Sequence, residues 1–249
     1  ELNSFSGRRH VPVRIASDAG TITLSGSEML NSAARLLAKA GGTSAKGGTL
    51  NISSGRFLRT GESYTTADGN LIVSASGQSL PVSQSARGTG LAVLDENGGV
   101  MPQLGHFSAG DLDGSGFDSL VLGGNVRFEG KVALTLPGHL RVAAGGVIYS
   151  DGDVLLKAGH VSLGQAFRTP SQQAPTLFEK GVFGSGANVT PHFFGPSVGD
   201  GSLTVRAGLI DVGDLSLQGI GSAILSAPKG DVRGNGTFQI AGNLVVEAG

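Results

Sequence analysis

Cysteine is absent from the 249 residues, which excludes disulfides, thiolate metal sites and a cysteine nucleophile. Tryptophan is absent too and aromatics make up only 5 %, so the usual platform for stacking a sugar ring is missing. Charge of one sign is also lacking: 18 Lys and Arg face 19 Asp and Glu, for a net charge of −1. That balance gives no broad electrostatic footprint for a phosphate backbone or an anionic membrane. No apolar run approaches the about 20 residues that a membrane-spanning helix needs.

Glycine is abundant, at 43 positions, and hydrophobic residues reach 39 %, too much apolar side chain for a disordered chain. One domain over 1–249 is the expectation. From Val126 onward the apolar runs are short and mostly alternating: Val126 to Phe128, Val132 to Leu136, Leu140 to Val142, Val147 to Tyr149, Val154 to Leu156 and Val161 to Leu163. The rhythm returns at Leu203 to Val205, Leu209-Ile210, Leu215 to Leu217, Ile224-Leu225, Val232, Phe238 to Ile240 and Leu244 to Val246. Pro137-Gly138, Gly145-Gly146 and Asp151-Gly152 supply turn chemistry between runs. Three such runs make a coil of about 20 to 22 residues, a repeat that predicts an all-β, right-handed parallel β-helix. An antiparallel sandwich is the competing architecture, although the connections lack a consistent hairpin signature.

Three segments break the rhythm. Over 27–40, Met29, Leu30, Ala33, Ala34, Leu36, Leu37 and Ala40 share one helical face, with Gly41 as a stop signal. This predicts a short flanking α-helix packed on the sheet stack. Residues 81–110, rich in Ser, Gly and Gln, predict irregular structure. Residues 165–201 predict an inserted loop with four prolines and five of the eleven phenylalanines. Loops carry function more often than their scaffold, so Phe178, Phe183, Phe193 and Phe194 are the candidate contact surface. The competing reading packs these rings back onto the strands. The sequence opens at Glu1 without a leader and stops inside the strand-like run Leu244 to Gly249, and it reads as a piece of a longer protein.

The stretches Gly116 to Leu122, Val126 to Gly130, Val132 to Leu136, Leu140 to Val142 and Val154 to Gly164, then Gly201 to Gly213, Ala227 to Arg233 and Leu244 to Gly249, resemble the large bacterial exoproteins of the filamentous haemagglutinin family. The resemblance covers about residues 105–249 in rung pattern, order and spacing, and the first hundred in style only. It implies an internal shaft segment of a secreted, cell-surface adhesin, exported through an outer-membrane two-partner secretion transporter and binding a host-cell or surface glycan or protein receptor. The family's secretion domain carries Asn-Pro motifs and no Asn-Pro dipeptide occurs here, so the resemblance places the segment downstream of that domain. A stalk for a toxin domain elsewhere in the parent, or a polysaccharide-binding or depolymerising β-helix, are the alternatives.

Candidate chemistry is sparse. In Asp111-Leu-Asp113-Gly-Ser115-Gly-Phe-Asp118, oxygens at alternate positions around glycines could converge on Ca²⁺, so Asp111, Asp113 and Ser115 are the candidate metal ligands. Against this, Leu122 stands where a bidentate Glu would close the loop, and the motif is not repeated. Five histidines (His10, His106, His139, His160, His192) occur without a Gly-x-Ser-x-Gly elbow or a His-Glu-x-x-His pattern. His139 and His160 read as solvated corners. The pairs Asp151 with Asp153 and Asp211 with Asp214 are the carboxylates a polysaccharide-cleaving β-helix would use, but their turn spacing favours exposed corners. The sequons at Asn51, Asn188 and Asn235 read as chance matches if the source is bacterial, as the resemblance implies. No catalytic residue is assigned, and the chain is expected not to be an enzyme.

Overall fold

The structure, a computed structural model, describes residues 15–27, 29–30, 32, 34–55, 63–65, 71–77, 104–143, 146–164, 188–190 and 195–249. The strands are β1 (Thr21–Ser27), β2 (Met29–Leu30), β3 (Gly48–Gly55), β4 (Ser63–Thr65), β5 (Leu71–Ser74) and β6 (Leu104–Ser108). Next come β7 (Phe117–Leu122), β8 (Val126–Glu129), β9 (Val132–Thr135), β10 (His139–Val142), β11 (Val147–Ser150) and β12 (Asp153–Leu163). The remainder are β13 (Asn188–Thr190), β14 (Gly201–Val212), β15 (Leu215–Gln218), β16 (Ile220–Ala227), β17 (Asp231–Gly234), β18 (Phe238–Gln239) and β19 (Asn243–Ala248).

The fold is all-β, and every strand pairing among the described residues is parallel. Tight hairpins cannot join parallel neighbours, so an antiparallel sandwich does not describe this chain. The larger sheet has ten strands, and its long members β12 and β14 each serve two flanks. Their first halves pair with β9 and β16, and β16 in turn with β19; their second halves lie in the run β1-β3-β7-β10-β12-β14-β17. The second sheet runs β18-β15-β11-β8-β5-β6-β2, and β4 pairs separately with β13.

Spacing and alternation explain this order. Leu120 pairs with Leu140, Leu140 with Val161 and Ile210 with Val232. Each of these steps advances the chain by 20 to 22 residues. Because side chains alternate between faces, equal phase at each step stacks apolar residue on apolar residue. Leu50, Leu120, Leu140, Val161 and Ile210 form one such inward column, each no more than 1 % exposed. The second sheet faces it with Leu71, Val126, Ile148 and Leu217, also buried. Each fully buried Leu or Ile contributes about 1.5–3 kcal/mol of transfer free energy, and one continuous core joins both sheets.

The α-helix expected over 27–40 is not formed. Ser27 ends β1, Met29–Leu30 is strand β2 and Ala34 to Ala40 is irregular. The Ala38 amide donates to the Ser115 carbonyl and its own carbonyl accepts from Gly48, so this backbone is satisfied by neighbouring segments instead of by its own helical turn. A helix of that length is marginal without packing, and tertiary pairing overrides its amphipathic pattern. The only helical element among the described residues is a 3-10 turn, Ala109–Leu112. In the segment expected to be irregular, residues 81–103 lie outside the described set, while 104–108 form β6. Of the expected insertion, 165–187 and 191–194 are outside it, and 188–190 form β13.

Candidate functional site

In β12, Val154, Leu156 and Ala158 point inward, then Gly159 and His160 both face out, then Val161 and Leu163 point in again. Two outward residues in succession bend the strand. β14 repeats the phase, with Leu203 and Val205 inward, Gly208-Leu209 outward, and Ile210 and Val212 inward. The bend needs glycine: a Cβ on Gly159 would lie 2.8 Å from the Pro137 carbonyl oxygen, and one on Gly138, the equivalent residue a step earlier, 2.7 Å from that of Asp118. Both are closer than such atoms approach without backbone movement. On the outer side of this corner lies an open groove of about 530 Å³, with Lys157 and Arg206 among its lining side chains.

Just beyond the corner, four polar side chains stack in register. Arg141 pairs with Ser162, Ser162 with Asp211, and Asp211 with Arg233. The adjacent column holds His139 and His160, whose rings stack at 4.5 Å between centroids. Asp211, with a side chain only 10 % exposed, accepts from Arg233 Nε at 2.7 Å and Nη2 at 2.8 Å, and lies 2.8 Å from His160 Nε2. An ionised carboxylate only accepts, which assigns the Nε2 proton of His160 as donor to Asp211. Ser162 Oγ sits 2.9 Å from His139 Nε2 and 3.3 Å from His160 Nε2, so its hydroxyl is free to donate to neutral His139.

The electrostatics follow from the stacking. Burial, then the neighbouring His160 and Arg141, hold the His139 imidazole below its ordinary value, with Asp211 acting weakly the other way. Burial alone would raise Asp211, but the hydrogen bonds from Arg233 and His160 outweigh it and hold the carboxyl below the usual range. Chemically, this arrangement is not a hydrolytic relay. A relay needs one histidine to hold the hydroxyl on one nitrogen and the carboxylate on the other. Here Ser162 and Asp211 both meet Nε2 of His160, Asp211 is not bonded to His139, and Ser162 is 7 % exposed. The cluster is a lateral polar ladder tying four strands together.

His139 and His160 are therefore strand residues of a stacked cluster, not solvated corners. The carboxylate pairs expected for glycan cleavage have separate structural partners. Asp151 accepts from the Gly130 amide at 3.0 Å and Asp153 from Ser202 Oγ at 2.7 Å. Asp211 belongs to the ladder, whereas Asp214 caps the turn at Thr237, 2.7 Å from its amide. Each carboxylate stitches one strand level to the next.

Around the expected calcium motif, Asp111 and Asp113 are exposed on and just after the 3-10 turn, and partial loss of solvent around the Asp111 carboxyl raises it. Ser115 is buried and its hydroxyl donates to the Leu112 carbonyl at 2.7 Å, while Asp118 accepts from the Gly47 amide at 2.7 Å. The Ser115 hydroxyl thus serves the turn and the Asp118 carboxylate a neighbouring segment, and the described residues contain no group of three or more His, Asp or Glu side chains arranged to hold a metal. His106 is held below its ordinary value by burial. Phe178, Phe183, Phe193 and Phe194, with His10 and His192, lie outside the described residues. Among those residues no helix is long and apolar enough to cross a membrane.

Sequence reasoning missed the polar ladder. Its signal was present in part: His139 and His160 stand one stacking step apart in the chain, and so do Asp211 and Arg233. No family model, no curated protein and no solved structure matches this chain.

Proposed function

We propose that this chain is a structural and interaction segment, a length of shaft from a secreted, surface-exposed bacterial adhesin of the filamentous haemagglutinin type, wound as a right-handed parallel β-helix. The observation that carries the reading is the run of seven parallel strands from β1 to β17, stacked in one unbroken inward apolar column. Parallel strands in that order, a near-constant chain step where connections are short, and a second sheet closing the same core are what a wound coil produces. Eight strands on the longest path of the larger sheet, at about 4.8 Å each, separate its ends by about 34 Å.

The polar features support the same role. The His, Asp and Arg ladder and the carboxylate stitches bond one strand to the next, as a load-carrying stack requires. Under this reading, export through an outer-membrane two-partner transporter and contact with a host glycan or protein receptor are properties of the parent protein. An antibody raised to this segment tests it. The reading predicts a native polypeptide far heavier than the 25.0 kDa of this chain, on the cell surface or in the medium. A soluble species near 25.0 kDa inside the cell would overturn it.

A further inference from the structure

Several carboxylates on the outer surface bond across to the adjacent strand: Asp211 meets Arg233, Asp153 meets Ser202 and Glu247 meets Ser226. Lys157 and Arg206 do the reverse. They stand directly opposite each other on β12 and β14, both exposed. Among the described residues neither meets a carboxylate. Like charges placed opposite each other across two strands destabilise the pair, and nothing in the strands around them offsets that cost. β9 flanks the pair on one side and β16, then β19, on the other, so it lies inside the stack and not at an open edge.

Both cations line the open groove of about 530 Å³ at the corner, a volume within the about 300–1,000 Å³ range of ligand-holding clefts. Leu136, Ala158, Ala207 and Pro228 supply its apolar walls. Gly159 and Gly208, at the bend itself, have no side chain to fill it. No aromatic ring among the described residues lines it. The groove thus sets two adjacent positive charges beside an aliphatic surface.

We propose that this groove binds an acidic peptide segment of a partner protein. One carboxylate of the segment bridges Lys157 and Arg206, and a neighbouring aliphatic side chain lies against Leu136, Ala158 and Ala207. The bridge replaces a repulsion with charge-assisted hydrogen bonds from the ammonium and the guanidinium fork. A sugar fits less well, because no ring offers its face for stacking. A nucleic acid fits less well again, since two cations neutralise few phosphates and no aromatic side chain receives a base. Glu247, one strand beyond Ser226 and 2.8 Å from its hydroxyl, sets a negative charge at the far side. The segment therefore carries its acid over the cation pair and none beyond Ser226. The shaft reading requires no ligand at this corner, so this contact stands or fails independently of it.

The probe is a fluorescein-labelled hexapeptide of alternating Glu and Leu, titrated with the chain and followed by fluorescence anisotropy. Binding should saturate and should weaken as NaCl is raised. The same peptide with Gln in place of Glu should bind at least about tenfold more weakly, and so should the Glu peptide to the double variant Lys157→Gln with Arg206→Gln. Lys46→Gln with Lys131→Gln, an equal change of charge at exposed sites elsewhere, should leave binding unchanged. Removing the like-charge pair should leave the urea midpoint equal to the parent's or higher, which separates lost binding from lost fold. Absence of saturable binding, equal binding of the Gln peptide, or undiminished binding by the groove variant would overturn the proposal. Tighter binding of polygalacturonate or single-stranded DNA than of the Glu peptide would assign the groove to another ligand class and overturn it equally.

Discussion

At the scale of single residues, the polar ladder makes stability depend on pH with a definite sign. His139 and His106 have folded-state values below 6.5, so the unfolded chain takes up protons first as pH falls. Their contribution is complete above that value and is lost on acidification through it. Asp211, held below 3.8, loses its contribution only in a second, lower window. The groups facing His139 are His160, Arg141, Asp211 and Ser162. Urea midpoints measured from about pH 7 down to about pH 5 should therefore fall. In His139→Gln, which keeps an acceptor for Ser162, the decline should be shallower. A midpoint that holds or rises on acidification would contradict the assigned neutral His139. Little of this cluster was legible in the sequence. The step from His139 to His160 is visible, but Ser162 and Asp211 lie more than two such steps apart because the stretch between them breaks the period.

At the scale of elements, the corner of β12 rests on glycine for a steric reason and not only for flexibility. Gly159→Ala should destabilise the chain by about 1–3 kcal/mol, as expected when overpacking meets backbone. Gly234→Ala, at a site where an added Cβ meets nothing within 4 Å, should cost much less. Chemical denaturation of both variants checks this, and equal costs would mean that the corner is not tight. Strands were the most readable elements: Val132 to Leu134 and Leu140 to Val142 alternate cleanly and their burial follows the alternation, whereas between Val161 and Leu163 the polar Ser162 is buried too. The segment over 27–40 was misread because apolar spacing reports only that residues are buried on one side. It cannot report that the Ala38 amide will be claimed by Ser115, far along the chain. Asp151 and Asp153 were readable as corner residues, since Gly152 between them marks the turn, whereas the strands that share their bonds were not.

At the scale of the whole molecule, the chain is a set of strand levels stacked in register, with polar stitches outside and one apolar column within. Composition anticipated this: few charges, few aromatics and 43 glycines suit many short strands and tight corners. What composition could not supply is the register across the long stretch between β12 and β14, where Lys157 meets Arg206. That pairing is also the most direct place to test the central claim. In a chain without native cysteine, Lys157→Cys with Arg206→Cys should form an intramolecular disulfide readily, since in-register Cα atoms sit about 4.8 Å apart. Lys157→Cys with Thr204→Cys, displaced along the strand and so about 8 Å apart, should not. Selective closure of the first pair is the predicted result; failure of that pair to close, or equal closure of both, would contradict a stack of parallel strands in this register.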